Sequence, residues 1–132
     1  MHKLDDMTFV SDRQICPADI PVLAAAGIRL IVNNRPDGEE PGQPASAEIE
    51  AAARAAGLGY RHIPIGGGFP SERIEAMALA LEAGPLLAFC RSGTRSTFLW
   101  ALARAARGAP PEDSLAAAAA AGYDLGPIRA WL

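Results

Sequence analysis

Phe89-Cys90-Arg91-Ser92-Gly93-Thr94-Arg95-Ser96 joins an apolar run, residues 85–89, to a segment with helical periodicity, residues 96–107. A cysteine at the end of a buried strand, a short loop with one glycine and an arginine at a helix start together make an anion cradle. Successive backbone N–H groups in such a loop, with the positive end of the helix behind them, converge on one point. The same field favours the thiolate form of Cys90, the nucleophilic one. Arg95 can fork onto two oxygens of a bound phosphate, sulfate or thiosulfate. Gly93 supplies a positive-φ position, Arg91, Ser92 and Thr94 complete the loop, and the Ser96 hydroxyl is expected near the sulfur.

Outward from this loop the chain alternates strand and helix. Residues 7–10, 29–33, 60–65 and 85–89 read as short strands, and 29–33 and 85–89 are continuous apolar runs of the kind buried on both faces. Helices are expected from Pro17 to Gly27, from Ser46 to Gly57, from Pro70 to about Ala83, over 96–107, over 111–121 and over 124–132. The alanine clusters fall inside these helices and reflect helix propensity rather than a repeat. This pattern predicts an α/β fold: a small, mostly parallel sheet of four or five strands flanked by helices, in a single domain over residues 1–132. Residues 34–44 carry three prolines and form a long loop, on the side where parallel sheets bind ligands.

Composition narrows the function. Of 132 residues, 50% are hydrophobic and 20% charged, enough for a core without disulfide or metal staples. Twelve basic against fifteen acidic residues, with no Lys/Arg run, speak against a nucleic-acid groove or a membrane surface. No stretch reaches the ~20 apolar residues of a membrane span, and Asp5 and Asp6 stand where a signal peptide would be apolar, so the cytoplasm is the expected compartment. Cys16 and Cys90, with two histidines, form neither a zinc pattern nor a disulfide framework; no metal or cofactor is expected, and Cys16 reads as structural.

Taken together, residues Asn33-Asn34-Arg35-Pro36-Asp37-Gly38-Glu39-Glu40, Gln43-Pro44, His62-Ile63-Pro64-Ile65 and Cys90 to Ser96 resemble one bacterial family. It is the beta-lactamase-hydrolase-like phosphatase-like family, also labelled a sulfurtransferase family, and the resemblance runs from about residue 9 to residue 100. It implies a fold similar to dual-specificity tyrosine phosphatases, with Cys90 as nucleophile and Arg95 as oxyanion binder. Two departures bear on mechanism. Four residues separate Cys90 from Arg95, the count of many rhodaneses, where tyrosine phosphatases have five. The place of the dual-specificity aspartate holds Gly66-Gly67, and Phe89 stands where a histidine often precedes the cysteine.

The candidate general acids are therefore Asp37, Glu39 and Glu40 in the long loop, with Glu72 next. Asp37 can equally make the turn Pro36-Asp37-Gly38, and Arg35 can either enter the anion site or pair with Glu39. His62 is expected to pack or cap, Trp100 and Trp131 to serve core and docking, and Tyr60 and Tyr123 carry no signal. Three functions fit: a nonclassical cysteine-dependent phosphatase hydrolysing a phosphomonoester through a cysteinyl-phosphate, a rhodanese-like sulfurtransferase carrying a Cys90 persulfide, or a degenerate oxyanion-binding module. The partner is accordingly a phosphorylated or sulfur-donor small substrate or protein side chain.

Overall fold

A computed structural model describes residues 1–132. Strands β1 (His2–Asp5), β2 (Thr8–Val10), β3 (Leu30–Asn33), β4 (Gly59–His62) and β5 (Leu86–Phe89) form one sheet of order β1-β2-β5-β3-β4. All pairings are parallel except β1 with β2. The apolar run of β5 lies between β2 and β3, so all four of its residues are buried and Cys90 emerges at the middle of the sheet's carboxyl edge.

Side chains alternate across the pleat. Leu86 and Ala88 join Val32, Leu99 and Trp100 in the core beneath α3 (Ser71–Leu81), α4 (Thr94–Ala106) and α5 (Pro111–Ala120). Leu87 and Phe89 face the other way, onto Ile20 and Ile49 of α1 (Ile20–Ala25) and α2 (Ser46–Ala55). The result is a helix, sheet, helix sandwich, the expected α/β class. No helix is long and apolar enough to cross a membrane.

Several boundaries differ from expectation. β1 was not foreseen, because only Leu4 of its four residues is buried and the sequence therefore shows no period-2 stripe. Its anchor is the indole N–H of the fully buried Trp100, which donates to Asp5 Oδ2 at 3.1 Å, while the Arg104 guanidinium lies 4.9 Å over the same ring. The first helix divides into a 3-10 turn (Pro17–Asp19) and the short α1, whose first turn holds Pro21. The strand expected over 60–65 ends at His62, although the amides of Ile63 and Ile65 still donate to the Asn33 and Asn34 carbonyls. The terminal segment expected as an α-helix is a 3-10 helix, Gly126–Trp131.

Because Trp100 ties α4 to β1 through the core, Trp100→Ala should lower unfolding free energy by about 3–5 kcal/mol in urea titration. A loss below about 1 kcal/mol would mean that the ring is not a core element.

Candidate active site

The loop after β5 is shaped by one residue. Gly93 caps α4 with φ of 91°, in the left-handed region, and its amide donates to Cys90 Sγ at 3.1 Å. Its carbonyl accepts from the Thr97 amide and hydroxyl at 2.9 and 2.8 Å, which locks loop to helix. A Cβ at Gly93 would collide with the Tyr123 hydroxyl and lie 2.6 Å from the Ser11 carbonyl oxygen. The Tyr123 hydroxyl itself donates to the Ser92 carbonyl at 2.9 Å, a contact that no local sequence pattern signals. Cys90 is buried at the base of the loop, and Arg91, Ser92 and Thr94 are exposed around it. Ser96, expected to bond the sulfur and to bind ligand, is fully buried within α4, and its hydroxyl makes no hydrogen bond, to Cys90 or to any other group.

Arg95 rises from the first turn of α4 and is held on one edge. Its Nη1 donates to the Ile65 carbonyl at 2.8 Å and to Glu39 Oε2 at 2.7 Å, and Nη2 donates to Glu39 Oε1 at 2.8 Å. A guanidinium has five N–H groups. Three are used here, leaving Nε–H and the second Nη2–H, which share the other edge and form a fork for two oxygens. Both Glu39, chiefly, and Cys90 raise the Arg95 pKa, so the sulfur lies close enough to reinforce the cation.

Glu39 is held in turn by Arg35. Arg35 is only 1% exposed, a buried cation, and it donates to Glu39, Glu40 and Gln14 at 2.9, 2.9 and 3.0 Å. Burial works against its charge, but the two carboxylates outweigh that cost and its pKa is raised. Of its two expected roles, the pairing with Glu39 is the one formed. Gln43 fastens the loop, donating to the Pro36 carbonyl at 2.9 Å and accepting from the Glu39 amide at 3.1 Å. His62 contacts the Arg35 carbonyl oxygen at 2.9 Å, as a packing histidine would. Arg35, Glu39, Glu40, Arg91 and Arg95 line a cavity of about 330 Å³ above the loop.

The expected acids take other work. The hydrogen bond from Arg95, assisted by Arg35 against the effect of burial, lowers the Glu39 pKa to about 2. Glu40 is likewise lowered, chiefly by Arg35. Both are carboxylates at neutral pH and have no proton to give. Asp37 does not line the cavity: its Oδ1 accepts the Ser46 amide at 2.8 Å, satisfying the start of α2. Asp37 is thus a helix-end acceptor, and Glu39 positions Arg95. No cluster of three or more His, Cys, Asp or Glu side chains is placed to hold a metal ion.

A thiol at the carboxyl end of a central parallel strand, looped to an arginine on the next helix within this sheet order, defines a dual-specificity-phosphatase-like α/β domain. The chain belongs to the family described as "Beta-lactamase hydrolase-like protein, phosphatase-like domain", which it matches over residues 4–107. A beta-lactamase hydrolase-like protein of Xylella fastidiosa is 43% identical over 113 residues, 83% of this chain and 26% of the relative. The chain thus spans about a quarter of the length of the curated relatives it matches. The crystal structure of a candidate phosphatase from Neisseria meningitidis Z2491 superposes with a TM-score of 0.81 at 36% identity, covering 98% of this chain and 93% of that one. Human DUSP28 shares the fold, with a TM-score of 0.69 at 18% identity over 98% of this chain and 90% of its own.

Two outcomes follow from this geometry. Gly93→Ala combines a positive φ with a collision, so it should cost about 2 kcal/mol or more by denaturant unfolding and abolish binding of inorganic phosphate; retained stability and binding would show that the loop tolerates a side chain. The folded Glu39 pKa lies below the ordinary 4.5, so its stabilisation is complete above about pH 5 and is lost as pH falls toward 2. Glu39→Gln should therefore flatten the stability profile between pH 5 and 2 and lower stability at pH 7 by about 1 kcal/mol, the solvent-screened worth of a partly exposed pair. An unchanged acid limb would remove the clamp.

Proposed function

We propose that the chain is a cysteine-dependent phosphatase working through a cysteinyl-phosphate on Cys90. The observation that supports this most is the Nε/Nη2 edge of Arg95, left open by Glu39 and fixed beside a thiol that accepts from the Gly93 amide at the start of α4. The Cys90 sulfur attacks phosphorus, and the S–P bond forms as the bond to the leaving oxygen breaks, the electron pair departing with that oxygen. The loop amides not engaged by the sulfur and the Arg95 fork hold the non-bridging oxygens. Water then attacks phosphorus, the S–P bond breaks, the thiolate returns, and inorganic phosphate leaves with the water oxygen while the proton passes to solvent.

With Glu39 and Glu40 ionised, Asp37 bonded at the start of α2 and glycine at 66 and 67, none of these positions offers a proton to a leaving group. Substrates whose leaving oxygen is a weak base, such as an aryl phosphate on a small molecule or a protein side chain, fit this site. Cys90→Ser should abolish turnover of 4-nitrophenyl phosphate, and phenyl phosphate should react at least about tenfold more slowly than the nitrophenyl ester in the wild type. Gly67 has an ordinary φ and open space around it, so an acid can be installed there. Gly67→Asp should raise phenyl phosphate turnover about tenfold or more and leave the nitrophenyl ester nearly unchanged. Equal wild-type rates on both esters would reveal an acid elsewhere.

The spacing of four residues between Cys90 and Arg95 and the missing acid also favour a second reading, sulfur transfer through a Cys90 persulfide, since passing a sulfane sulfur to a thiol needs no strong acid.

A further inference from the structure

Beyond the cradle, the largest concavity is an apolar groove of about 550 Å³ at the far end of α4, with seven of its eight lining residues hydrophobic. Phe69, Ile74, Leu102, Ala106, Trp131 and Leu132 make most of its wall, and Trp131 is 69% exposed beside it. A volume of this size fits a small-molecule ligand.

Two segments connect the groove to the cradle. Arg95, Phe98, Leu102 and Ala106 recur at three- and four-residue spacing and so share one face of α4. Arg95 and Leu102 stand seven positions apart, about 10 Å along the helix axis. The second segment begins at Ile65, whose carbonyl holds Arg95 Nη1 at 2.8 Å, and reaches the groove wall at Gly68 and Phe69. Between them stand Gly66, Gly67 and Gly68, none at positive φ, and a Cβ on any of the three would meet no atom within 4 Å. Neither backbone conformation nor close packing demands glycine here, and the effect of three missing side chains is a clear strip from the cationic end to the apolar end.

We infer that the phosphate-bearing substrate is amphiphilic, its head held at Cys90 and Arg95 and an extended apolar body laid over Gly66–Gly68 into the groove between Phe69, Leu102 and Trp131. This rests on the phosphatase reading for its chemistry and on the groove for its specificity. The missing acid restricts the head to a leaving group of low basicity, so an aromatic phosphate with a long apolar substituent satisfies both ends. The cationic edge of Arg95 complements the head, and the groove offers the tail no charge.

Two assays separate the inference from the reading beneath it. In the first, phenyl phosphate and 4-octylphenyl phosphate, whose phenols have similar basicity, are compared below the micelle threshold. Each methylene that becomes buried contributes a factor of about three to four, so kcat/KM should rise at least about tenfold with the octyl chain. Ala106→Trp, at an exposed position on the groove, and Trp131→Ala, which removes a wall, should each erase most of that gain and leave phenyl phosphate unchanged. Equal kcat/KM for both esters, or a gain that survives both variants, overturns the inference while the phosphatase stands. In the second assay, calorimetry compares decylphosphonate with methylphosphonate, neither of which turns over. An advantage of about tenfold or more for the longer chain, lost in Ala106→Trp, supports the groove even where no ester is hydrolysed, and in that case only the phosphatase reading falls.

Discussion

The carboxylate of Glu39 holds two arginines at once, Arg95 at the cradle and Arg35 in the interior, and the geometry of the site follows from that pairing. A guanidinium as buried as Arg35 is strongly destabilising unless its charge is matched. Glu39 and Glu40 match the charge and draw the long loop after β3 across the carboxyl edge of the sheet, while the neutral Gln14 accepts one further N–H. Arg95 is then gripped end-on by Glu39 and from the side by the Ile65 carbonyl, so its remaining edge is fixed without a ligand present. Such preorganisation avoids the cost of ordering a long side chain during each binding event.

The same pairing explains why the expected acids are not acids. Sequence displays carboxyl groups near the cradle but not their proton affinity, which depends on which cations they meet in space. The 56 positions between Glu39 and Arg95 are closed only by the parallel arrangement of β3 and β5. Asp37 was open to two readings for a similar reason. A turn residue and a catalytic acid look alike in a stretch such as Pro36-Asp37-Gly38, and the bond to the Ser46 amide assigns Asp37 to the start of α2.

What was legible lay in local chemistry. The apolar run before Cys90, the single glycine and the periodic segment after it specified β5, the loop and α4, and the alternation of elements specified the sandwich. What was not legible depended on tertiary partners. β1 exists because Leu4 and Asp5 find the core and Trp100, and Tyr123 matters because α5 brings its hydroxyl to the Ser92 carbonyl. Ser96 differs in the opposite sense: it lies in the interior with no hydrogen-bond partner for its hydroxyl, and the group that meets the sulfur is the Gly93 amide.

Membership of a phosphatase-like family and the likeness to DUSP28 fix the architecture, and chemistry has to be argued from the site. The proposed chemistry stands or falls on whether Cys90 carries the phosphoryl group. It is tested most directly by acid-quenched intact-mass spectrometry during turnover of 4-nitrophenyl phosphate, with Cys90→Ser alongside. A transient gain of about 80 Da that maps to Cys90 and is absent from the variant is the expected result. A stable gain of about 32 Da on Cys90 with thiosulfate, and none with the phosphate ester, would contradict it and make the protein a sulfur carrier.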